Sequence, residues 1–169
     1  PWGRAGIAAV LATLAAVSVK PIDPTAIPNP PVAQHLAADF AGWERIVADP
    51  PSLLPVLVAD HLDELRTLAA SAPQACRGNA LCHLDIRADN LLIDAGGRLW
   101  IVDWPWAATG APWIDALMLL VNVGFYGGHD LGELVGASSV LRATDPVSFN
   151  ALPAVLPAVF VDPRRTPHP

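Results

Sequence analysis

The chain has little cysteine, a shortage of positive charge and no apolar run long enough to cross a bilayer. Its two cysteines, Cys76 and Cys82, have five residues between them. That spacing fits no zinc knuckle, redox pair or haem attachment site, and two cysteines build no disulfide framework. Reduced thiols in a cytoplasmic protein are therefore expected. Ten Lys and Arg stand against sixteen Asp and Glu, for a net charge of -6, and the sole basic run is Arg164-Arg165. The electrostatic footprint of a nucleic-acid binder is missing, so no nucleic-acid partner is expected. Residues 5–19 are uncharged between Arg4 and Lys20, but they number fifteen and six are alanine. A membrane span needs about 20 residues, so this stretch is predicted to be a buried helix, with no membrane partner and no signal peptide. The chain opens on Pro1 in place of Met, as a processed or truncated start would.

What is present is apolar: 53% of the 169 residues are hydrophobic, enough for one domain with a sizeable core. Eighteen prolines fall mostly at 21–31, 50–55, 153–157 and 163–169, where they punctuate helices. Residues 21–31 read as a linker within the domain, because their prolines remove donors and restrict their predecessors. Leu36, Phe40, Trp43 and Val47 give 32–48 one apolar helical face. Leu54, Leu57, Val58, His61, Leu62, Leu65 and Leu68 do the same for the next segment, with His61 on the apolar side and assigned no chemistry. Helices are also predicted over 112–125 and 129–137. Asp145-Pro146 supplies a cap and a first-turn proline for a last helix, which Pro153 and Pro157 should kink or shorten. Residues 161–169 are expected to form a flexible tail after a lobe spanning 1–160.

Between Ala80 and Asp103 the period becomes strand-like, with LLID and RLWIVD flanking Ala95-Gly96-Gly97. A two-residue turn at Gly96-Gly97 would pair Leu91 with Val102 and bring Asn90 opposite Asp103, while a longer turn would offset the register by one. The Asp103 carboxylate and Asn90 amide oxygen are hard donors suited to Mg²⁺, which takes one or two protein ligands plus phosphates and waters. Asp85, five residues before Asn90, is the candidate base that orients an attacking hydroxyl. His83 is read as holding the loop backbone, with a direct catalytic role as the alternative. Arg87 either reaches a transferring phosphate with its planar fork or stands as a surface arginine. The plain alternative for the whole set is a hairpin with a solvated acidic rim of Asp85, Asp89, Asp94 and Asp103.

HLDIRADN at 83–90 and IVDWPW at 101–106 resemble the catalytic loop and metal-binding segment of the aminoglycoside phosphotransferase family, which shares the protein-kinase-like fold. The resemblance implies a mainly helical α+β fold, the C-terminal lobe of a kinase-like enzyme, with the hairpin carrying the catalytic and metal segment. It implies Asp85 as base, Asn90 and Asp103 as Mg²⁺ ligands with ATP as co-substrate, and Asp115 in WIDAL as an acid bracing the catalytic loop. Leu84 departs from the family at a position where many members have glycine, and Pro105 follows Trp104 where protein kinases have glycine.

No glycine-rich loop or strand lysine paired to a helix glutamate is visible; VSVK at 17–20 echoes the lysine pattern, but Lys20 reads as a helix-end cation. The N-terminal nucleotide lobe is thus expected to be absent, and isothermal titration of these 169 residues with Mg-ATP is expected to show weak or no binding. Three functions compete: transfer of the γ-phosphoryl group from the nucleotide to a hydroxyl of a small molecule, a non-catalytic kinase-like binding module, and a metal-dependent phosphoester hydrolase. Asp130, Glu133 and the acidic rim would attract a cationic acceptor, and Trp104, Trp106 and Trp113 either pack or stack a ring.

Overall fold

The computed structural model describes residues 3–20 and 30–162. Residues 21–29 of the linker read at 21–31, and residues 163–169 of the tail read at 161–169, lie outside the described residues. In chain order the helices are α1 (Arg4–Ser18), α2 (Val32–His35), α3 (Ala37–Phe40), α4 (Gly42–Ala48), α5 (Val56–Asp60), α6 (Leu62–Ala70) and α7 (Ala72–Ala75). Strands β1 (Ala80–Cys82), β2 (Leu91–Ile93), β3 (Leu99–Ile101) and β4 (Ala108–Gly110) follow, then α8 (Ile114–Tyr126), α9 (Leu131–Ala137), α10 (Ser139–Arg142), α11 (Pro146–Ala151) and α12 (Leu156–Val161). The architecture is mainly helical α+β, with two small antiparallel sheets, β1 with β4 and β2 with β3. These elements form two compact units: 3–20, 30–31 and 78–144 in one, 32–77 and 145–162 in the other.

The first unit is built on α1 and α8. Ile7, Val10, Leu11 and Leu14 recur at helical spacing on α1 and are buried, which bears out the buried helix expected there. The helix packs against α8 and β1. Buried residues Ile114, Ala116, Leu117, Leu119, Leu120 and Val123 leave α8 almost no polar face, so it runs through the interior. Fully buried side chains such as Ile7, Ile114 and Leu119 each contribute about 1.5–3 kcal/mol by leaving water. Strand β1 pairs with β4 through Ala80 with Gly110, Leu81 with Thr109 and Cys82 with Ala108. The Thr109 N–H also donates to the Pro30 carbonyl at 2.9 Å. Gly78 fits beside this sheet because it has no Cβ; one there would run into the Gly110 and Ala111 backbone.

The second unit buries Trp43, Ile46, Ala69, Ala72, Ala151, Ala154, Val155 and Ala158 together. The Trp43 indole N–H donates to the Ala154 carbonyl at 2.8 Å, satisfying the one polar atom of a ring otherwise buried for its apolar area. Arg45 reaches the buried Asp162 carboxylate at 2.8 Å. Helix α12 runs through Val161, so residues 161 and 162 are packed ahead of the tail.

Helical phase is where this unit departs from the expectations. The helix read over 32–48 is broken at Leu36 (ψ 14°) and Ala41 (ψ 0°). Each break turns the following residues, so Ile46 is buried and Val47 is 40% exposed. A similar interruption at His61 (ψ 16°) leaves Leu57 72% exposed and puts His61 at the surface, with Nδ1 3.2 Å from Glu64. Asp145 caps α11 by accepting the Ser148 N–H, with Pro146 in the first turn. Beyond it the chain breaks into a 3₁₀ turn at Pro153–Val155 and the short α12, the interruption expected from Pro153 and Pro157.

Candidate active site

Strand β1 leads directly into the loop that carries His83 and Asp85. His83 is fully buried, and both of its ring nitrogens are committed to backbone. Nδ1 accepts the Asp85 N–H at 3.2 Å, and Nε2 lies 2.9 Å from the Val102 carbonyl. That pattern belongs to the neutral tautomer with the proton on Nε2. The Trp104 ring packs edge-on to the imidazole, with centroids 4.6 Å apart and planes at 67°. His83 thereby ties the Asp85 backbone to the segment that precedes Asp103.

Asp115, in the first turn of α8, holds the same loop from below. Its two carboxylate oxygens accept consecutive N–H groups, from His83 at 2.7 Å and Leu84 at 2.9 Å. Burial pushes the carboxyl above its ordinary range, while these two hydrogen bonds pull it down. Leu84 pays for the arrangement with a φ of 66°, a left-handed conformation that favours glycine. Ile86, buried beyond Asp85, anchors the other side of the loop.

Asp85 and Asn90 meet. The Asn90 amide nitrogen donates to the Asp85 carbonyl at 2.9 Å and to its carboxylate at 3.0 Å. With the nitrogen so engaged, the Asn90 amide oxygen is the atom left to face another ligand. The Arg87 Nε lies 3.4 Å from the second Asp85 oxygen, and its terminal nitrogen 3.1 Å from Asp89. Arg87 is 51% exposed at its side chain, so it lies over the loop at the solvent edge.

The hairpin β2–β3 forms, but with the offset register. Leu91 pairs with Ile101, Leu92 with Trp100 and Ile93 with Leu99, so Asn90 lies opposite Val102 and not Asp103. Its loop has three residues, Ala95, Gly96 and Gly97. The Gly97 N–H donates to the Asp94 carbonyl, and the Asp94 N–H to Arg98. Gly97 adopts φ 80°, the left-handed position that ends a type I turn with a bulge. The pairing that was expected to bring Asp103 across from Asn90 is thus corrected by one residue. Val102 instead donates its N–H to the Asn90 carbonyl at 3.0 Å, and Asp103 follows with its own left-handed φ of 62°. The reversal there leaves Asp103 exposed at the end of the second strand.

Asn90 and Asp103 are the residues of this loop that could hold a divalent metal. One amide oxygen and one carboxylate suit Mg²⁺, which completes its shell with waters and phosphate oxygens. Among the described residues no group of three or more His, Cys, Asp or Glu is arranged to hold a metal. The acids suggested as an attractor for a cationic acceptor have other partners: Asp130 caps α9 by accepting the Glu133 N–H, and Glu133 pairs with Arg4 at 3.0 Å. Trp113 is buried. Trp104 donates its indole N–H to the Ile101 carbonyl at 2.8 Å, so both rings pack. No helix among the described residues is long and apolar enough to cross a membrane.

Comparison with known proteins adds a family to this geometry. No curated protein matches. Among solved structures, the crystal structure of a choline/ethanolamine kinase family protein from Mesorhizobium loti aligns with a TM-score of 0.51 at 19% identity, over 96% of this chain and 57% of that one. At that identity the likeness is one of fold, and this chain spans little more than half of the matched protein. The model of the phosphotransferase enzyme family matches residues 5–146, a stretch that contains every residue of the site from His83 to Asp115. The chain belongs to the phosphotransferase enzyme family.

Proposed function

We propose that this chain carries the catalytic and metal-holding part of an enzyme that moves the γ-phosphoryl group of ATP to a hydroxyl of a small molecule. One observation supports the reading above the others: the Asn90 amide nitrogen fixes the Asp85 carboxylate, which leaves an oxygen of Asn90 for a metal. The two functions expected of the pair are thus coupled through one side chain. Asp85 orients the acceptor hydroxyl and takes its proton, through a carboxylate held by Asn90 on one oxygen and flanked by Arg87 on the other. Asn90 and Asp103 would hold Mg²⁺, which neutralises phosphate charge when bound. Arg87 turns from Asp85 and Asp89 to the transferring phosphate, a move its half-exposed position permits. His83 and Asp115 are positioning residues, since their polar atoms contact the loop backbone.

The test is the fate of labelled γ-phosphate when the intact protein is incubated with Mg-ATP and a panel of small hydroxyl compounds. Label in an organic acceptor is the expected result. Release of all label as inorganic phosphate would instead mark a hydrolase, and retention in the nucleotide a non-catalytic module.

A further inference from the structure

Asp89 is the acid of the His83–Asn90 loop to which the phosphotransfer reading gives no task. It lies in the 3₁₀ turn Ala88–Asn90, which is closed by the Asn90 N–H donating to the Arg87 carbonyl at 3.1 Å. That closure keeps Asp89 and Arg87 on one short arc of chain, with both side chains within reach of each other. A terminal nitrogen of Arg87 donates to Asp89 at 3.1 Å, inside the ordinary hydrogen-bond range, whereas its Nε meets Asp85 only as an ion pair at 3.4 Å, beyond that range. Asp89 is therefore the firmer of the two anchors and sets where the guanidinium stands. Asp85 is engaged on both sides as a result: Asn90 donates to one carboxylate oxygen at 3.0 Å, and Arg87 stands against the other.

We propose that Asp89 is a positioning residue that holds Arg87 against Asp85 until the γ-phosphate of ATP draws the guanidinium away. This rests on the phosphotransfer reading and adds to it the contact with which the γ-phosphate competes. An arginine shared with a carboxylate is available to a phosphate only for the fraction of time that the pair is open, and the apparent affinity for that phosphate falls by the same fraction. Asp89 is 69% exposed at its side chain, and an exposed pair is weak, so releasing it should strengthen binding of the γ-phosphate about two- to fivefold.

Isothermal titration of the intact protein with the Mg²⁺ complexes of ADP and of a non-transferable ATP analogue isolates the γ-phosphate. Asp89→Asn is expected to tighten the analogue by that factor and to leave ADP unchanged, a split that a merely structural role would not produce. In an Arg87→Gln background the same substitution should change neither nucleotide, because Asp89 acts through Arg87. Plain repulsion between Asp89 and the phosphates would tighten the analogue equally in both backgrounds, and that result would overturn the proposal. An equal shift for ADP, or an unchanged or weaker affinity of Asp89→Asn for the analogue, would overturn it too. Phosphoryl transfer is read in its own assay, so a failed Asp89 cycle and a failed phosphotransfer reading give different results.

Discussion

Leu84 occupies a left-handed backbone position with a branched side chain, and Asp115 accounts for why it does so. Consecutive N–H groups of His83 and Leu84 can converge on one carboxylate because the chain turns at Leu84. Replacing Leu84 by Gly removes a strain of about 1–2 kcal/mol and adds backbone entropy of about 0.5–1 kcal/mol to the unfolded chain. Urea denaturation should therefore find Leu84→Gly equal to the parent or slightly more stable, and Leu84→Val less stable. A large loss in the glycine variant would mean that the leucine side chain, not the backbone, governs the position. Asp115→Ala leaves two buried N–H groups without an acceptor, at about 1–3 kcal/mol each, and the same measurement should show that loss. Because burial raises the Asp115 pKa on folding, its titration contributes stability that is full below its unfolded value and lost as pH rises through the folded one. Against Asp115→Asn, which cannot titrate, the parent should lose relative stability as pH climbs from about 4. The convergence of His83, Asp85 and Asn90 was legible from their spacing in the sequence. Asp115 was not, since an acid 31 residues after Leu84 has no local pattern and was indicated by resemblance alone.

At the scale of elements, period and punctuation identified α1, α8, α9, α11 and the β2–β3 hairpin, because each has a continuous apolar stripe or a cap. Strand β4 escaped notice: Ala-Thr-Gly carries no alternation, and pairing with β1 alone makes it a strand. The breaks at Leu36 and His61 have no Gly or Pro beside them to announce them, and the one at Ala41 has only Gly42, so tertiary packing overrode a helical period that looked unbroken. The hairpin register turned on whether the loop used two residues or three. Gly97, the left-handed residue of the three-residue loop, should lose about 1–2 kcal/mol on change to Ala, whereas Gly96→Ala should lose less, since its φ is not left-handed. Equal losses from the two would contradict the loop assignment. Asp145, held below the ordinary carboxyl range chiefly by the Ser148 N–H, stabilises α11 above its unfolded pKa and ceases to as pH falls through the folded value. Asp145→Asn should flatten that acid limb.

For the molecule as a whole, the two cysteines report on the two units separately. Cys76 belongs to the second unit and Cys82 to the first, and both are buried and outside any disulfide. Burial pushes the Cys76 thiol up to about 12, so almost no thiolate exists at neutral pH to react. Neither cysteine should be labelled by a thiol reagent in the native protein. In rising urea the two labelling rates give the opening of each unit, and fast labelling without denaturant would contradict their burial. The family match at 5–146 takes in elements from both units, yet the polar contacts that define the site all lie within the first. The most direct test of the site is the rate of phosphoryl transfer by Asp85→Ala in the intact protein. Removing the proposed base should lower kcat by about 10²–10⁴-fold. Turnover surviving within roughly tenfold of the parent would show that Asp85 is not the base.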